Sequence, residues 1–502
     1  SSQYDEISEA PSQAPTVLFP SAMPSMAYFP TNAPSSEPTN FYAAKPYLEV
    51  ARALESLNVS SAVDILLIDG TTPTSQANAL DFLLKSDDLA LDPESVPATR
   101  MVQRYIAAIV YISLEGSGWN ISTNWLTAEH ECDWHGVECE SQQIDEAPLL
   151  VGSTSLSSSR TLLERIVVSM DLSQNNLVGS LPNEIAQFPN LTTLSLWGNG
   201  LKGTIPSTIG GLSSLRQLWI DNNNFTGELP THLGQLENLE DFQLYGNKGL
   251  GGNIPTEIGY LKKLERFWSD GTNLSGTIPI EFGQMSALVH LYLDDNKLTG
   301  GLPPSLGSLP NLVDLRLGNN MFTGSIPDEL YELSKLEILY LDNNDITGSI
   351  STLIGKFVSL VDFRAGDNRL TDSLPFELGD MPNLEVLVLR RNRLNMFLPE
   401  SLGSNGRLLR IDLTQNSMVG SIPKSIGQSK GLKKLELGSN DLTGEIPSFL
   451  GEMVHLETLV LGKNMFHGTV PSELGNMVNL GKLVWTMNKP SCYSNALLRH
   501  IG

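Results

Sequence analysis

One short stretch of the chain concentrates the residue types that bind metal ions or form disulfides. The sequence HECDWHGVEC spans residues 130–139 and contains two histidines and two cysteines, His130, Cys132, His135 and Cys139. Imidazole nitrogen and thiolate sulfur are the usual ligands of structural zinc, and four such ligands at this spacing would suit one zinc ion. The two cysteines could instead close a short disulfide loop around Trp134. The stretch by itself leaves both interpretations open.

Composition and charge limit the classes of function. The chain has 502 residues, 40% of them hydrophobic, and a formal net charge of −24. A chain of this length can bury a large core. Because so acidic a surface repels phosphate backbones and anionic membranes, we expect no nucleic-acid partner.

The ends of the chain carry no targeting signal. No apolar run approaches the roughly 20 residues that cross a bilayer. The chain begins at Ser1 without a signal-peptide pattern. We therefore expect a mature form or a fragment, with any membrane anchor or signal outside this chain.

Two segments precede the regular part of the sequence. Residues 1–46 are rich in Pro, Ser and Thr, a composition typical of an extended stalk or a disordered linker. Residues 47–160 should form a helical N-terminal cap region, because YLEVARALESL, SQANALDFLL and TRMVQRYIAAIVYISL carry apolar residues at helical spacing. Ser75 is the expected N-cap of the second helix, and Gly116 should end the third.

A 24-residue repeat occupies residues 161–490, as in LVHLYLDDNKLTGGLPPSLGS and LKKLELGSNDLTGEIPSFLGE. The template is L-x-x-L-x-L-x-x-N-x-L-x-G-x-I-P-x-x-L-G, present in about thirteen full copies and a partial one. The L-x-L unit is a short strand that buries its leucines only when neighbouring copies stack. The asparagine, replaced once by Thr272, can satisfy buried backbone groups with its donor and its acceptor.

This template resembles the plant-type leucine-rich repeats of receptor-like kinases, receptor-like proteins and polygalacturonase-inhibiting proteins. The resemblance implies an α/β leucine-rich repeat solenoid, a right-handed curved superhelix. Parallel strands would line its concave face, and short helices or 3-10 turns its convex face. The stretch QRYIAAIVYISLEGSGWN and the Pro/Ser-rich segment look most like secreted or membrane-anchored leucine-rich repeat proteins of diatoms.

The resemblance also bears on the cysteine stretch. N-terminal caps of the family carry W-N and then C-x-W-x-G-V-x-C, a pattern matched at residues 119–120 and 132–139, within a plant-type cap of about residues 98–140. It implies a disulfide between Cys132 and Cys139, and neither histidine is part of it. A disulfide in turn indicates an oxidising, extracellular setting.

The chain departs from the family in several places. It has no protein-kinase signature. Ser351 replaces the repeat proline once, and Asp372 and Met396 replace the turn glycine, so we expect a different bend there. Residues 491–502 form a C-terminal remnant in which Cys492 has no visible partner.

The variable strand positions supply the candidate ligand-binding residues. The middle residue of each L-x-L should face solvent, and exposed aromatic residues in a row are typical of peptide or sugar contact surfaces. Arginine forks suit carboxylate or sulfate groups. The candidates are Trp197, Trp219, Tyr245, Trp268, Tyr292, Arg316, Tyr340, Arg364, Arg390, Arg391 and Arg410; Ser195, Val388 and Asp412 hold the same strand position in other repeats.

A structural alternative remains for each half of this row. The aromatic residues could stack on one another and stiffen the sheet. The arginines could pair internally with the acidic residues that lie toward the aromatic half, Asp221, Asp270, Asp294, Asp295 and Asp342.

The predicted function is an extracellular or cell-surface recognition module that binds a peptide, protein or polysaccharide on the concave face, with a co-receptor as a further partner. The alternatives are an inhibitor of a secreted hydrolase and a structural cell-wall or adhesion protein.

We expect no enzyme activity and no cofactor, since no catalytic or phosphate-binding motif is present. Five N-x-S/T sequons are candidate glycosylation sites, Asn58, Asn120, Asn190, Asn224 and Asn273.

Overall fold

The computed structural model describes residues 45–57, 59–60, 74–86, 97–146 and 160–485. Most of the predicted stalk, the sequon at Asn58 and Cys492 therefore lie outside the described residues. No helix in the described ranges has both the length and the apolar character needed to cross a membrane.

Three helices form at the expected places before the repeats. Their bounds are Lys45–Ser56 (α1), Ser75–Asp81 (α2), which continues as a π-helical turn over Phe82–Ser86, and Ala98–Ser113 (α3). The N-cap of α2 is Thr74, whose hydroxyl accepts a hydrogen bond from the amide of Ala77 at 3.0 Å. The prediction of Ser75 as the cap was therefore wrong by one residue. The bulk of α3, including Tyr105 and Ile109, is fully buried against the first elements of the solenoid.

The repeats build one long sheet. An antiparallel hairpin of Val137–Glu146 (β1) and Arg160–Asp171 (β2) begins it. Within the described residues the sheet has fifteen strands, and from β2 onward every pairing is parallel. The strands after β2 are Thr193–Ser195, Gln217–Trp219, Asp241–Gln243, Arg266–Trp268, His290–Tyr292, Asp314–Arg316, Ile338–Tyr340, Asp362–Arg364, Val386–Val388, Arg410–Asp412, Lys434–Glu436, Thr458–Val460 and Lys482–Val484.

Short 3-10 helices cover the opposite side, as predicted. Two belong to the cap, Gly116–Gly118 and Glu131–Asp133. The repeats contribute Asn183–Gln187, Ser207–Gly211, Thr231–Gln235, Thr256–Tyr260, Ile280–Gln284, Pro304–Ser308, Asp328–Glu332, Thr352–Lys356, Phe376–Gly379, Lys424–Gln428, Ser448–Glu452 and Ser472–Asn476. Where Ser351 replaces the proline, its hydroxyl caps the 3-10 helix by accepting from the Leu353 amide at 3.3 Å.

A second set of strands follows the asparagine of the repeats. Seven of them form one sheet, Val178–Gly179, Gly200–Gly203, Asn224–Glu228, Gly249–Asn253, Asn273–Gly276, Lys297–Gly300 and Met321–Phe322. Beyond it the strands occur as two separate pairs, Thr371–Asp372 with Arg393–Leu394 and Val419–Gly420 with Asp441–Leu442. The first break falls in the repeat of Gly348, which keeps the turn glycine, whereas Asp372 lies within a paired strand, so these glycine replacements do not account for the first break. Asp372 adopts the left-handed conformation that glycine favours, with φ 67°.

The asparagines form the predicted row of backbone contacts inside the solenoid. The side-chain nitrogen of Asn296 donates to the carbonyl oxygens of Ser269 at 2.9 Å and Leu293 at 3.2 Å. Its oxygen accepts from the amide of Leu274 at 3.0 Å. Thr272 replaces part of this pattern by donating from its hydroxyl to the oxygen of Ser269 at 3.0 Å. Each repeat is thereby joined to its neighbour by polar as well as apolar contacts.

Candidate functional site

The histidine and cysteine stretch serves as an end cap. Cys132 and Cys139 form the disulfide that the family pattern implies. The Nδ1 atom of His130 accepts from the amide of Cys132 at 3.1 Å, and burial lowers the pKa of His130 to about 4, so this imidazole is a neutral cap of the 3-10 helix. Within the ranges that the structure describes, no three His, Cys, Asp or Glu residues lie where they could hold a metal ion.

Trp134 and Gly136 complete this cap. Trp134 is buried and packs against Trp125, with ring centroids 5.0 Å apart. Gly136 has φ 79°, and a Cβ there would lie 2.1 Å from the carbonyl oxygen of Asp171. The turn between the two cysteines therefore requires glycine.

A continuous row of flat side chains crosses five neighbouring strands of the long sheet. We call it the stacked row, and its members are Trp268, Tyr292, Arg316, Tyr340 and Arg364. The rings of Trp268 and Tyr292 are parallel, with centroids 5.2 Å apart. The guanidinium of Arg316 lies between two tyrosines, 4.3 Å from the centroid of Tyr292 and 5.2 Å from that of Tyr340. Arg364 lies 4.6 Å from the other side of Tyr340. These contacts combine cation–π attraction with strand pairing.

Two aspartates, Asp314 and Asp362, contact the tyrosines and arginines of the stacked row. The carboxylate of Asp314 accepts from the Tyr292 hydroxyl at 2.7 Å and from both Nε and Nη2 of Arg316, at 3.1 and 2.9 Å. Asp362 makes the same contacts with Tyr340 and Arg364 two repeats later. The arrangement therefore has a period of two repeats along this part of the face.

The remaining candidate arginines are also paired inside the protein. Arg390 and Arg391 both contact Asp367, at 3.1 Å each. Arg410 contacts Asp412 at 3.0 Å and Glu436 at 3.3 Å. Aromatic stacking and internal ion pairs thus both occur on this face, but the acidic partners are not those named from the sequence. They are Asp314, Asp362, Asp367, Asp412 and Glu436. The sequence-based prediction that these arginines bind anionic groups of a ligand therefore loses support, because their guanidinium groups already contact carboxylates of the protein.

A pocket of about 250 Å³ opens at one end of the stacked row. It is lined by Tyr245, Trp268, Asp270, Tyr292, Asp294 and Arg316. Four of these residues were candidates from the sequence. Asp270 and Asp294 were noted there only as acidic neighbours, and the structure brings them into the pocket because each follows its aromatic residue by two positions on adjacent strands.

The carboxylate of Asp294 is held in place by a backbone amide. Its Oδ1 accepts from the amide of Gly318 at 2.5 Å, and a Cβ at Gly318 would lie 3.0 Å from that oxygen. Burial raises the pKa of Asp294 to about 7, opposed by this hydrogen bond and by Arg316. Burial likewise raises the pKa of Asp270, and the nearby charge of Asp295 adds to the effect. The pocket therefore holds two partly desolvated carboxyl groups.

Replacing Asp294 by asparagine should change how stability depends on pH. The folded-state pKa, about 7, exceeds the ordinary value of 3.8, so the stability that this group contributes is complete below pH 3.8 and is lost as pH rises through 7. The amide side chain of the variant would keep an acceptor for Gly318 but would not ionise. We expect the variant to gain on the order of 2 kcal/mol over the parent between pH 4 and pH 8.

Thermal denaturation at several pH values measures this difference. Glu237→Gln, at an exposed site, is the control and should leave the pH profile of the melting temperature unchanged. Parallel profiles for Asp294→Asn and the parent protein would contradict the assignment.

The other candidate positions vary in exposure. Trp197 and Trp219 are half-buried, farther toward the N-terminus on the same face. Ser195, Val388 and Asp412 are buried, so the expectation that the middle strand position always faces solvent was wrong there.

Among the sequons, Asn120 and Asn224 are exposed and Asn190 and Asn273 are half-buried. The side chain of Asn273 donates to the carbonyl of Lys248.

Family models describe the repeats directly. The model described as "Leucine rich repeat" matches residues 286–346, a two-copy model matches 189–233, and a single-repeat model matches 383–405 and 431–453. The comparison with curated proteins gave no match.

Solved structures extend this likeness over most of the chain. The PEPR1-AtPEP1 crystal structure is 29% identical with a TM-score of 0.58, and the match covers 76% of this chain and 58% of that chain. A leucine-rich repeat protein of Leptospira interrogans is 35% identical with a TM-score of 0.53, covering 64% and 78%. An internalin of Listeria monocytogenes shares the fold at 19% identity and a TM-score of 0.51, covering 68% and 92%.

These matches agree with the parallel sheet, the 3-10 helices and the asparagine contacts seen in the structure. The chain spans 58% of the PEPR1 chain that it matches. With 35% identity over 78% of the Leptospira protein, the chain belongs to the leucine-rich repeat family, with repeats of the plant type.

Proposed function

We propose that this protein is a non-enzymatic recognition module that binds a peptide or a segment of a protein on the strand-lined face. The observation that carries the proposal is the pocket at the end of the stacked row. Tyr245, Trp268 and Tyr292 are only half-buried there, so a ligand can reach their rings. Concave sites with aromatic walls and a few placed polar groups are typical of ligand binding.

The rigidity of the surface supports the same role. Asp314 and Asp362 hold the tyrosine hydroxyls and the arginines in fixed positions before any ligand arrives. A surface that is already ordered loses little side-chain entropy on binding, so more of the contact energy appears as affinity. Internal stacking therefore prepares the face for a ligand as well as stabilising the sheet.

The setting proposed is extracellular or at the cell surface. The disulfide between Cys132 and Cys139 is of a kind that persists in oxidising compartments. The exposed sequon asparagines Asn120 and Asn224 are compatible with glycosylation there. The likeness to PEPR1 of the PEPR1-AtPEP1 structure supports a partner of peptide or protein type.

The test compares two double variants of the full chain. Trp268→Ala with Tyr292→Ala removes both parallel rings of the pocket. Tyr260→Ala with Phe376→Ala is the matched control, because these rings are 51% and 57% exposed on the 3-10 helical side. Each protein is used to capture partners from extracellular material of the source cells, and circular dichroism verifies folding.

The expected result is a partner that the parent and the control variant retain and the pocket variant loses. The loss of two aromatic anchors should lower affinity about 100-fold or more. Equal capture by both folded variants, or no partner for the parent protein, would reject the proposed function.

A further inference from the structure

The carboxylates on the strand-lined face fall into two groups. Asp241, Asp314, Asp362, Asp367 and Asp412 each contact an arginine of the same face. Asp270 and Asp294 do not, among the ion pairs that the described residues form, and neither do Asp221, Asp295 and Asp342. The acceptor role of Asp294 toward the Gly318 amide leaves its negative charge without a cationic partner in direct contact.

Of these unpaired carboxylates, Asp270 and Asp294 line the pocket. Asp270 follows Trp268 and Asp294 follows Tyr292 by two positions, and these two strands are direct neighbours in the sheet. Adjacent strands lie about 4.8 Å apart, so the two carboxylates occupy neighbouring positions at one side of the cavity. The parallel faces of Trp268 and Tyr292 begin a wall that Tyr245 continues, its ring centroid 6.4 Å from that of Trp268.

The one cation of the pocket is already neutralised. Arg316 is stacked between two tyrosines and holds Asp314 through two nitrogens, which fixes both its position and its charge balance. The charges that remain to be compensated are those of Asp270 and Asp294. Aromatic faces and carboxylates both attract cations, and a cavity of about 250 Å³ has room for an ammonium or guanidinium group with part of its carbon chain.

Resting on the proposed function, we propose that this pocket selects a basic ligand, and that it receives a cationic group of a peptide beside Asp270 and Asp294, against the face of Trp268 that Tyr292 does not cover, on the side of Tyr245. The group is the side chain of an arginine or lysine, or the terminal ammonium. This reverses the sequence-based expectation that the face grips anionic groups, because the internal carboxylates occupy the arginines.

Two short peptides distinguish the sources of the cation. Tetra-arginine blocked at both ends presents only side-chain cations, and tetraglycine amide with a free amino terminus presents only the terminal ammonium. Each is titrated into the full chain at pH 8, above the pKa of Asp294, and at physiological ionic strength, with calorimetry and tryptophan fluorescence as readouts. Because the whole protein carries a charge of −24, non-specific attraction must be separated from the pocket.

A pair of charge-matched variants makes that separation. Asp270→Asn with Asp294→Asn removes two negative charges in the pocket and keeps an acceptor for the Gly318 amide. Glu237→Gln with Glu457→Gln removes two negative charges at exposed positions elsewhere. Both variants differ from the parent by the same net charge, so only the position of the change differs.

We expect at least one of the two peptides to bind the parent protein and the control variant with affinities within about twofold, and to bind the pocket variant at least about tenfold more weakly. Quenching of fluorescence should accompany binding, since Trp268 forms the wall. Equal weakening in both variants, equal binding by both, or no binding of either peptide to the parent would overturn the inference.

These outcomes are separable from those of the proposed function. If the pocket-charge variant still captures a partner that Trp268→Ala with Tyr292→Ala loses, recognition stands and the cationic ligand is rejected. If the aromatic variant also captures that partner normally, the proposed function itself is rejected.

Discussion

Replacing Asn320 by Ala should lower the free energy of unfolding by about 3 kcal/mol. The side-chain nitrogen of Asn320 donates to the carbonyl oxygens of Leu293, Leu317 and Gly318 at 2.8, 3.3 and 3.0 Å. Its oxygen accepts from the amide of Leu298 at 2.9 Å. Alanine would remove all four contacts and leave the buried Leu298 amide without this acceptor, and an unsatisfied buried group costs about 1–3 kcal/mol. The three carbonyls each keep another donor, from Asn296, Asn344 and the amide of Asp295.

The control is the same substitution at a half-buried asparagine whose contacts lie at the surface. Asn311 donates to the carbonyl of Ser286 at 2.9 Å and accepts from Lys335 at 2.7 Å, but water can replace both contacts. We expect Asn311→Ala to cost less than about 1 kcal/mol. Asn320→Thr should fall between the two, because Thr272 already fills the equivalent place in one repeat.

Urea denaturation measures the total change, and hydrogen exchange locates it. In a solenoid each repeat contacts its neighbours, so exchange should accelerate first in residues 293–322. Similar losses from Asn320→Ala and Asn311→Ala would show that the buried asparagine contacts do not hold the repeats together.

Replacing Arg104 by Met should destabilise the N-terminal cap by about 3–5 kcal/mol. Arg104 is fully buried in α3. Its Nη1 donates to the carbonyl of Glu129 at 2.8 Å and lies 3.5 Å from the Glu131 carboxylate. Its guanidinium lies 5.0 Å from the ring centroid of Trp134 and donates to the carbonyl of Thr127 at 2.5 Å. Methionine keeps most of the volume and removes the charge.

The cost arises chiefly at Glu131, which is also buried. Burial raises the pKa of Glu131, and Arg104 opposes that rise. Without Arg104 the carboxyl group of Glu131 would stay protonated up to a higher pH. The loss of stability caused by Arg104→Met should therefore grow as the pH increases from acid to neutral. This direction follows because a raised folded-state pKa contributes stability at low pH and loses it at high pH.

A double-mutant cycle tests the coupling. Glu131→Gln added to Arg104→Met should restore part of the lost stability, since no buried charge then remains unpaired. Arg369→Met is the matched control, because its ion pair with Asp345 is about half exposed and should contribute about 1 kcal/mol or less. Thermal unfolding followed by tryptophan fluorescence reports on the cap through Trp119, Trp125 and Trp134. Strictly additive losses at Arg104 and Glu131 would contradict the coupling.

The structure agrees with the sequence-based expectations for the features that recur in each repeat. The 24-residue period predicted the parallel sheet, the 3-10 helices and the role of the asparagines, because each repeat can bury its leucines only against an identical neighbour. The family pattern predicted the pairing of Cys132 with Cys139. The recurrence of aspartate beside the arginines of the stacked row is also visible in the sequence, as DLRLG at residues 314–318 and DFRAG at residues 362–366.

Other features depend on contacts between side chains that sequence spacing does not specify. A middle strand position can still be buried, as at Val388 and at Asp412, which Arg410 contacts at 3.0 Å. Arginines on one face can serve a ligand or pair internally, and only the positions of Asp314 and Asp362 decide between these uses.

The sequence by itself therefore determined the solenoid, its capped end and the face that carries the candidate residues. These follow from hydrophobic periodicity and from a motif, both of which act over short distances along the chain. The tertiary structure alone decided which charges on that face neutralise one another and which remain unpaired. Asp270 and Asp294 became pocket residues because charge balance depends on distances between strands, and such distances exist only once the repeats have stacked.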